Sequence, residues 1–574
     1  MRILCVLLFA GLVQAQPNIT GGPVNAASFA SAGLPNTNIA QGSMFVLFGQ
    51  NIGPSTQANA SSFPLPSKLG GTSISATVGG TAVDAIMLYA NSFQVAAILP
   101  STVPVGTGTV TLTYNGQASN TVPIQVVAST MGIFTRNQAG TGPGVLFNFN
   151  SQADQPVNSL VTAAHPGQVL TLWGTGLGKV SGQEADGPLP GNLDVPVNVY
   201  VGNQQVTPTY KGRSGCCAGI DQVVFTVPSG VSGCYVSVAV QAGGVISNTA
   251  TIAVTGSGTV CTEPASLEAA DLQKVASGGS LSTGDIGLVR DHYNFSLPSG
   301  QLTGNLDEAV GHFRQYISSS DVLESTRGSV AGLSVLDFAS LGSCIVSPYS
   351  YQGPLAAVFG GAGDPANFNG LDAGADLNVN GPEGATQLPR QNQGSAAQPF
   401  YVYKVTGGII GGGIEGFTNV LPDYLDPGNY TVDDGSGGSQ VGAFSAKFSI
   451  PSSPPVWTNE DAFSDISRSK DLTVTWSGGA AGGLVGVSGS SANPTAGIGA
   501  TFQCLVPADA GTFTVPQWVL SALPASAVDS SVGIPIGFLS LVTPLPQPVR
   551  FSATGLDVGF LNWGQIETKN VVFQ

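Results

Sequence analysis

The chain has 574 residues, of which 42% are hydrophobic and only 9% charged, so it carries enough apolar material for several cores. Its length predicts about three or four domains. The formal net charge of −16 argues against nucleic-acid binding and leaves no polybasic patch for anionic lipid. Abundant glycine (79) and proline (38) favour many short strands joined by tight turns.

The N-terminus has the pattern of an export signal. Arg2 supplies one positive charge, residues 3–12 form a short apolar run, and a small-residue exit ends at Ala15. This pattern predicts a secretory signal peptide, residues 1–15, that is cleaved after Ala15. A membrane anchor is the alternative, but the run is shorter than the ~20 residues that span a bilayer. We expect no membrane span and a chain that is secreted or held at the cell surface.

Two segments of the first half match each other in a fixed order, about 125 residues apart, which indicates an internal repeat. The matching landmarks are Gly42 with Gly167, Gly49 with Gly174, Pro64-Leu65-Pro66 with Pro188-Leu189-Pro190, Val78-Gly79 with Val201-Gly202, residues 93–95 with 222–225, and Ser119-Asn120-Thr121 with Ser247-Asn248-Thr249.

Each repeat reads as a series of short strands. Residues 109–114 and 235–240 alternate polar and apolar side chains, as half-buried strands do. Roughly seven strands per unit are expected of an immunoglobulin-like sandwich. We therefore predict an all-β protein in which residues 16–135 and 136–260 form two tandem sandwiches.

These landmarks together resemble the IPT/TIG type of immunoglobulin-like domain. More narrowly, they are similar to a repeat family of secreted acidobacterial (Solibacter-type) proteins, whose usual lead-in resembles residues 23–29. The resemblance covers about residues 18–256. It implies sandwich modules of a secreted or surface protein, and it implies no catalytic residues. The second repeat departs from the pattern because it lacks the lead-in and carries a cysteine cluster.

Six cysteines follow the signal, and an even number in an exported chain predicts disulfides. The first two are adjacent, so we expect them to bridge to the next two and not to each other, although the sequence does not fix this connectivity. The last two remain as a pair for the C-terminal half. Zinc is disfavoured, because the C-x-x-C or nearby histidine spacing is missing. The six are Cys216, Cys217, Cys234, Cys261, Cys344 and Cys504.

The C-terminal half, residues 261–574, predicts a larger β-rich domain with about one helix; a break near 451–455 would divide it into two. Residues 263–277 fit a short helix or a linker, with Ser266 as a candidate cap. A second helix is better indicated where Asn305 and Glu308 have capping-box spacing ahead of an apolar stripe. That stripe comprises Leu306, Val310, Phe313 and Ile317.

Two segments resemble ligand loops without completing them. Residues 174–179 look like a phosphate loop but fail its spacing, so a turn after a strand is favoured. Asp376, Asn378 and Asn380 resemble the start of a calcium loop, a weak candidate because Gln387 stands where the loop needs a bidentate glutamate. A strand with alternating apolar residues explains this second segment equally well.

Few side chains offer chemistry. Glu308 and His312 would be four apart on the second helix and could share a metal, but a solvated helix face is favoured. Sugar stacking and core packing are both open to the tryptophans of the C-terminal half, with packing the commoner fate. These are Trp457, Trp476, Trp518 and Trp563.

No catalytic constellation or cofactor motif is visible, so we expect no enzyme and no cofactor. The leading hypothesis is a non-catalytic secreted or cell-surface protein with an adhesion, scaffold or extracellular binding role. Its partner would be an extracellular protein or glycan, with no nucleic acid. The alternatives are a carbohydrate-binding protein with its glycan site in the C-terminal domain, and an extracellular glycan hydrolase, whose paired carboxylates sequence spacing does not exclude.

Overall fold

A computed structural model describes residues 16–263, 267–297, 300–324, 340–353, 367–393, 400–408, 422–479, 481–531 and 533–574. These residues are mostly β-strand, with three short α-helices and three turns of 3-10 helix. The predicted all-β fold is confirmed: two tandem immunoglobulin-like sandwiches precede a larger β-rich region.

The first sandwich packs a six-stranded sheet on a seven-stranded one. Its strands are β1 (Asn18–Ile19), β2 (Val24–Asn25), β3 (Ile39–Ala40), β4 (Met44–Gln50), β5 (Ala58–Asn59), β6 (Lys68–Leu69), β7 (Thr72–Val78), β8 (Thr81–Asp84), β9 (Ile86–Ala90), β10 (Gln94–Ile98), β11 (Gly106–Tyr114), β12 (Gln117–Ala118) and β13 (Val122–Val127). One sheet has the order β1-β4-β10-β9-β5 and the other β3-β13-β11-β7-β6. Alternation in β11 sets the layers, because Val110 and Leu112 enter the core between threonines that do not.

The second sandwich packs two six-stranded sheets. Its strands are β14 (Gly132–Ile133), β15 (Gly142–Pro143), β16 (Leu146–Phe149), β17 (Val169–Thr175), β18 (Gly191–Asn192), β19 (Val197–Val201), β20 (Gln204–Val206), β21 (Tyr210–Arg213), β22 (Asp221–Thr226), β23 (Gly233–Ala242), β24 (Val245–Ile246) and β25 (Ala250–Val254). The orders are β14-β17-β22-β21-β18 and β15-β25-β23-β19-β20, which repeat the arrangement of the first sandwich.

The Ser-Asn-Thr landmark has the same structural role in both repeats. The Asn120 side chain accepts a hydrogen bond from Ile19 N (2.7 Å) and donates one to Ile19 O (3.0 Å). Asn248 makes the same pair with Ile133, at 2.8 and 2.9 Å. Each asparagine precedes the last strand of its sandwich and bonds to the first strand, which lies in the other sheet. The two sheets are thus tied together by one side chain per repeat.

The C-terminal region is built around a 14-stranded sheet. Three small sheets accompany it, with the orders β35-β37-β40, β36-β46 and β41-β42. The strands of the whole region in chain order are β26 (Leu281–Leu297), β27 (Gly300–Tyr316), β28 (Cys344–Ser350), β29 (Phe368–Gly370), β30 (Asp376–Gly381), β31 (Gly384–Asn392), β32 (Tyr401–Gly407), β33 (Gly428–Asp433), β34 (Ser445–Ile450), β35 (Val456–Trp457), β36 (Asp465–Ile466), β37 (Leu472–Ser477), β38 (Leu484–Asn493), β39 (Ile498–Pro507), β40 (Thr512–Val515), β41 (Val528–Asp529), β42 (Ile534–Pro535), β43 (Gly537–Pro544), β44 (Val549–Phe551), β45 (Val558–Asn570) and β46 (Val572–Phe573).

The main path of this sheet runs β28-β39-β38-β43-β45-β26-β27-β32-β31-β30-β33-β34. Its centre is a hairpin of two 17-residue strands, β26 and β27, and β26 also pairs in parallel with β45. One face buries two large apolar clusters. The three α-helices are α1 (Ala269–Ala276), α2 (Ser319–Leu323) and α3 (Gln517–Ser521), and the 3-10 turns are Glu460–Ala462, Pro494–Ala496 and Ala508–Ala510.

The helix predicted at residues 305–317 is wrong, because residues 300–316 form strand β27. An apolar spacing of three and four residues also arises in a strand that is buried on both faces. Asn305 caps nothing and instead donates to Asp423 (2.8 Å), while Glu308 pairs with Lys404 (2.8 Å). The capping-box spacing is therefore accidental.

The helix expected within residues 263–277 does form, as α1. Glu268 and Asp271 make a reciprocal capping box at its start, and Ser266, the predicted cap, lies outside the described residues. Leu272 and Val275 of α1 pack into an apolar cluster shared with the second sandwich.

Candidate functional site

A buried polar cluster lies where the two sandwiches meet. Arg213 ends strand β21 and Asp221 begins β22, directly opposite, and they form an ion pair with side-chain exposures of 2% and 0%. The second guanidinium nitrogen of Arg213 donates to Gly42 O of the first sandwich and to Gly178 O (2.9 Å). One buried cation therefore bonds to both sandwiches. We call this cluster the joint.

The loop that resembles a phosphate loop binds a carboxylate of its own chain. Gly176 N and Leu177 N both donate to Asp221 Oδ2 at 2.7 Å. The loop's backbone donors are thus occupied internally, in keeping with the predicted turn. Burial raises the pKa of Asp221 above its ordinary value, while Arg213 and the two N–H donors oppose that shift.

Further hydrogen bonds cross the joint. Met44 N donates to Thr175 Oγ1 (2.9 Å), and this hydroxyl donates to Gly219 O (2.7 Å). The Glu184 carboxylate accepts one hydrogen bond from the amide of Ser101 (2.7 Å) and another from its hydroxyl (2.8 Å). The joint holds several buried hydrogen bonds between the two sandwiches, although Arg213 Nε is buried without a partner, and these bonds favour one fixed orientation of the two sandwiches.

The cysteines pair as three disulfides, and one expectation about them is wrong. Cys216 bonds to Cys217, Cys234 to Cys261, and Cys344 to Cys504. Cys216 therefore bonds to its own neighbour, and Cys234 bonds to Cys261 with Cα atoms 5.4 Å apart. The Cys216–Cys217 bridge lies in the β21–β22 connection, between Arg213 and Asp221.

The weak calcium candidates lie in a strand. Asp376, Asn378 and Asn380 belong to β30, whose Leu377 and Val379 are buried in the core. The amides of Asn378 and Asn380 donate to Asp433 at 2.8 and 3.0 Å. No calcium loop forms at these residues, because the strand ladder with β31 and β33 takes their backbone.

Glu308 and His312 do not come together. Both lie on strand β27, where residues four apart are about 13 Å distant. Glu308 pairs with Lys404, and the His312 ring stacks on Phe400 with centroids 5.6 Å apart. Across the described ranges, no three His, Cys, Asp or Glu side chains are grouped as metal ligands.

The four C-terminal tryptophans are all buried, at 5% exposure or less, which leaves none of them to stack on a sugar. Exposed aromatic rings occur instead on the sandwiches. Phe48 is 38% exposed and lies 6.4 Å from the half-buried ring of Phe29, which has a left-handed backbone (φ 50°). Such a φ is a rare, costly conformation for a bulky residue. The pair lies on the outer face of the first sandwich, above an apolar cluster.

Two buried aspartates lie on one face of β26. Asp291 accepts a hydrogen bond from Thr568 Oγ1 (2.7 Å), and Asp285 from Thr283 Oγ1 (3.2 Å). Burial raises the pKa of each carboxyl to about 7, although Arg314 lowers that of Asp285. Their strand positions are six residues apart, about 20 Å, which is too far for paired acid–base work on one bond.

A small cleft opens where the two sandwiches meet the C-terminal region. Ser28 and Leu34 line it from the first sandwich, Ser247 from the second, and Val346 and Ala500 from the large sheet. Among the described residues that line this cleft, none is ionisable. Its chemistry suits contact with an uncharged group.

No family model matches the chain, and no curated protein matches it. Among solved structures it is similar to SGBP-B from a complex xyloglucan utilization locus in Bacteroides uniformis (10% identity, 68% of this chain and 86% of that one, TM-score 0.16). It is also similar to the titin I-band fragment I67–I69 (8%, 76% and 99%, 0.13) and to domains 5–6 of the S-layer protein SbsC (14%, 43% and 100%, 0.14). At these TM-scores the similarities carry no argument about this chain.

Alignment of the two repeats does not predict the joint, because the residue that anchors it differs between them. Phe48 and Trp173 are equivalent residues of the two repeats, since each precedes a landmark glycine, Gly49 or Gly174. Gln94 pairs with Phe48 and Gln222 pairs with Trp173, so the residues before these glutamines, Phe93 and Asp221, are also equivalent. Phe93 is 61% exposed, and no ion pair exists there. The signal available in the sequence was an Asp at the position where the first repeat has a Phe. Separately, none of the helices in the described ranges is both long and apolar enough for a membrane crossing.

Proposed function

We propose that this chain is a non-catalytic secreted or cell-surface β-sandwich protein with an adhesion or scaffold role outside the cell. The observation that carries the proposal is the joint. Arg213 bonds to Asp221 of its own sandwich and to Gly42 of the other. A buried network of this kind costs a great deal to break, so the tandem presents its surfaces in one orientation. Fixed presentation is what a scaffold needs and what a flexible tether would lack.

The disulfides support the extracellular part of the proposal. Three bridges, two of them buried, persist in oxidising compartments and are rare in reducing ones. They agree with an export signal at residues 1–15, a segment outside the described residues.

The test compares cells of the producing organism with and without the gene. We expect the tagged protein on the outer surface or in the medium, beginning at Gln16, and weaker cell attachment in the deletion strain. Wild-type protein and the Asp84→Asn variant, at an exposed edge strand, should restore attachment. Asp221→Asn should restore less at equal exported amounts, because it breaks the joint. Polysaccharide turnover that one Asp or Glu substitution abolishes would overturn the non-catalytic role.

A second candidate function is carbohydrate binding. Its candidate site lies on the first sandwich and does not involve the C-terminal tryptophans. Phe29 and Phe48 form an aromatic pair on the outer face of the first sandwich, with Gln94 directly beside Phe48 in β10. Aromatic surface with a few polar groups is typical of ligand sites. The backbone strain at Phe29 is of a kind that accumulates at such sites.

Affinity electrophoresis of the full chain through polysaccharide gels tests this candidate. Phe48→Ala should lose most of any retardation. Phe149→Ala is the matched control, since Phe149 is exposed to a similar degree (40%) on the second sandwich. Equal retardation of both variants and wild type would contradict a glycan site at Phe29 and Phe48.

A further inference from the structure

The connection between β21 and β22 combines two features that no established function of the chain uses. It carries the Cys216–Cys217 disulfide, and its two ends are the ion-paired residues Arg213 and Asp221. Within it, Ser214 N donates to Ile220 O (2.9 Å), which closes the base of the turn. The disulfide therefore lies inside the element that holds the joint.

The same connection touches both sandwiches. Gly219 O accepts a hydrogen bond from Thr175 Oγ1 (2.7 Å) in the second sandwich. Gly219 has a left-handed backbone (φ 74°), and a Cβ placed on it would lie 2.8 Å from side-chain atoms of Met44 and Ile98 in the first. Only glycine fits so close an approach, so the connection is seated tightly against the first sandwich.

Solvent access separates this disulfide from the other two. Cys216 is exposed and Cys217 half-buried. Cys234 and Cys261 are 2% and 3% exposed, and Cys344 and Cys504 are both 0% exposed. Because thiol–disulfide exchange needs a thiolate to reach a sulfur atom, a reductant meets the Cys216–Cys217 bond first.

We propose that Cys216–Cys217 is a thiol-exchange site whose redox state sets the rigidity of the joint. Its substrate is a small dithiol or the dithiol site of an extracellular oxidoreductase. A reductant thiolate attacks Cys216 Sγ, forms a mixed disulfide and releases Cys217 as a thiolate. The second thiolate of the reductant then attacks the reductant's other sulfur, which is bonded to Cys216 in the mixed disulfide, and releases Cys216 as a thiolate. Two electrons pass to the protein, the two cysteine thiolates take up two protons, and the reductant leaves as its disulfide.

Reduction acts on the joint through chain entropy. The bridge confines the backbone of two neighbouring residues in a connection whose ends must stay in register. Opening it frees those residues, and fixing each one costs about 1–2 kcal/mol. The connection then samples positions in which Gly219 leaves Thr175 and Met44, and Arg213 and Asp221 lose part of their alignment.

The experiment uses the intact exported chain. A mild dithiol followed by iodoacetamide and peptide mass spectrometry should alkylate Cys216 and Cys217 and leave the other four cysteines unmodified. Amide hydrogen exchange is then measured at Met44, Gly176 and Leu177, whose N–H groups donate within the joint. We expect exchange there to become about tenfold faster on reduction, equivalent to freeing one residue. Exchange at Ile133, bonded to Asn248 and not to joint residues, should not change.

The double variant Cys216→Ser/Cys217→Ser is the matched control. Without reductant it should already show the fast exchange, and reductant should change nothing further. Equal reduction rates for all three disulfides would overturn the exchange site. Selective reduction of Cys216–Cys217 with unchanged amide hydrogen exchange at the joint would overturn the coupling between the disulfide and the joint. Neither result bears on the adhesion or scaffold role, which is tested by attachment.

Discussion

Asp221 accepts hydrogen bonds from Arg213 on one side and from the backbone of Gly176 and Leu177 on the other, at full burial. Arg213 in turn reaches the carbonyl of Gly42 in the first sandwich. The carboxylate therefore orients the cation that crosses between the sandwiches. Loss of either partner leaves the other as an unpaired charge in a water-excluded site.

Asp221→Asn should lower the free energy of unfolding by about 3–5 kcal/mol, because Arg213 then remains buried without a counter-charge. Denaturant unfolding followed by circular dichroism measures the change. Lys274→Gln is the matched control, since it breaks the more exposed Lys274–Asp557 pair, whose side chains are 44% and 27% exposed. That pair should be worth no more than about 1 kcal/mol. Similar losses in the two variants would show that the joint is not the stronger pair.

The equivalent asparagines give a prediction about the duplication. Asn120→Ala removes two hydrogen bonds to Ile19, whereas Asn248→Ala removes two to Ile133 and a third to Gly140 O (2.9 Å). Each should cost about 1–3 kcal/mol, because a backbone N–H and C=O lose their partners. Asn→Asp at either site sets a carboxylate oxygen against the backbone carbonyl oxygen that the amide had bonded, so its cost should be at least as large. Thermal unfolding of the four variants measures this.

Asn150→Ala is the control for that series, because the Asn150 side chain bonds to Asp154 at the exposed surface. It should change stability by less than about 0.5 kcal/mol. A large loss at only one of Asn120 and Asn248 would show that the two repeats do not use the landmark alike.

The Cys344–Cys504 disulfide joins strands β28 and β39 at directly opposed positions and spans 160 residues. In the chain-entropy model, such a span contributes about 5 kcal/mol. Replacing both cysteines by serine should therefore lower the melting temperature far more than Cys216→Ser/Cys217→Ser does. Differential scanning calorimetry of the two double variants measures the contrast. The reverse order would contradict a mainly entropic contribution of the long bridge.

The first sandwich was predictable because strands such as β11 bury one face, whereas β23 of the second sandwich is buried on both faces from Cys234 to Val240. Residues 109–114 alternate plainly, and the repeated Ser-Asn-Thr marks one tie in each unit. In the C-terminal region the central strands are covered on both faces, so alternation disappears. The spacing of Leu306, Val310 and Phe313 then fitted a helix as well as a strand. Long parallel pairing of β26 with β45 leaves no local signature at all.

The joint was less predictable than the fold, because its parts are far apart in sequence. Gly42 and Arg213 meet only once both sandwiches have formed. The tryptophans failed as site candidates for the opposite reason: their size makes burial the rule in a β-rich core. The disulfide at Cys216 and Cys217 was misassigned because adjacency was treated as an obstacle to bonding.

The buried carboxyl of Asp291 makes stability depend on pH, with a sign that can be worked out. Its pKa is about 7 in the folded chain against an ordinary 3.8, because burial disfavours the charged form. The folded chain therefore holds a proton that the unfolded chain has released between these values. The stability this proton provides is complete below pH ~4 and is lost as the pH rises through 7. Asp285, whose pKa burial also raises to about 7, acts in the same direction.

His312 acts in the opposite direction, since burial and the cations Arg314 and Lys404 lower its pKa to about 3. Its contribution is complete above its ordinary 6.5 and is lost as the pH falls toward 3. Two aspartates oppose one histidine, so their net effect is falling stability from about pH 4 to 7.

Asp291→Asn isolates one of these groups. The amide imitates the protonated carboxyl and still accepts the hydrogen bond from Thr568. The variant should match wild type at pH 4 and exceed it by a few kcal/mol at pH 8, at about 1.4 kcal/mol per pKa unit. Denaturant unfolding across this range measures the difference. Phe149→Ala, which removes an exposed ring and no ionisable group, should give a difference that does not vary with pH. A flat difference for Asp291→Asn as well would mean that Asp291 is ionised at little cost in the folded chain.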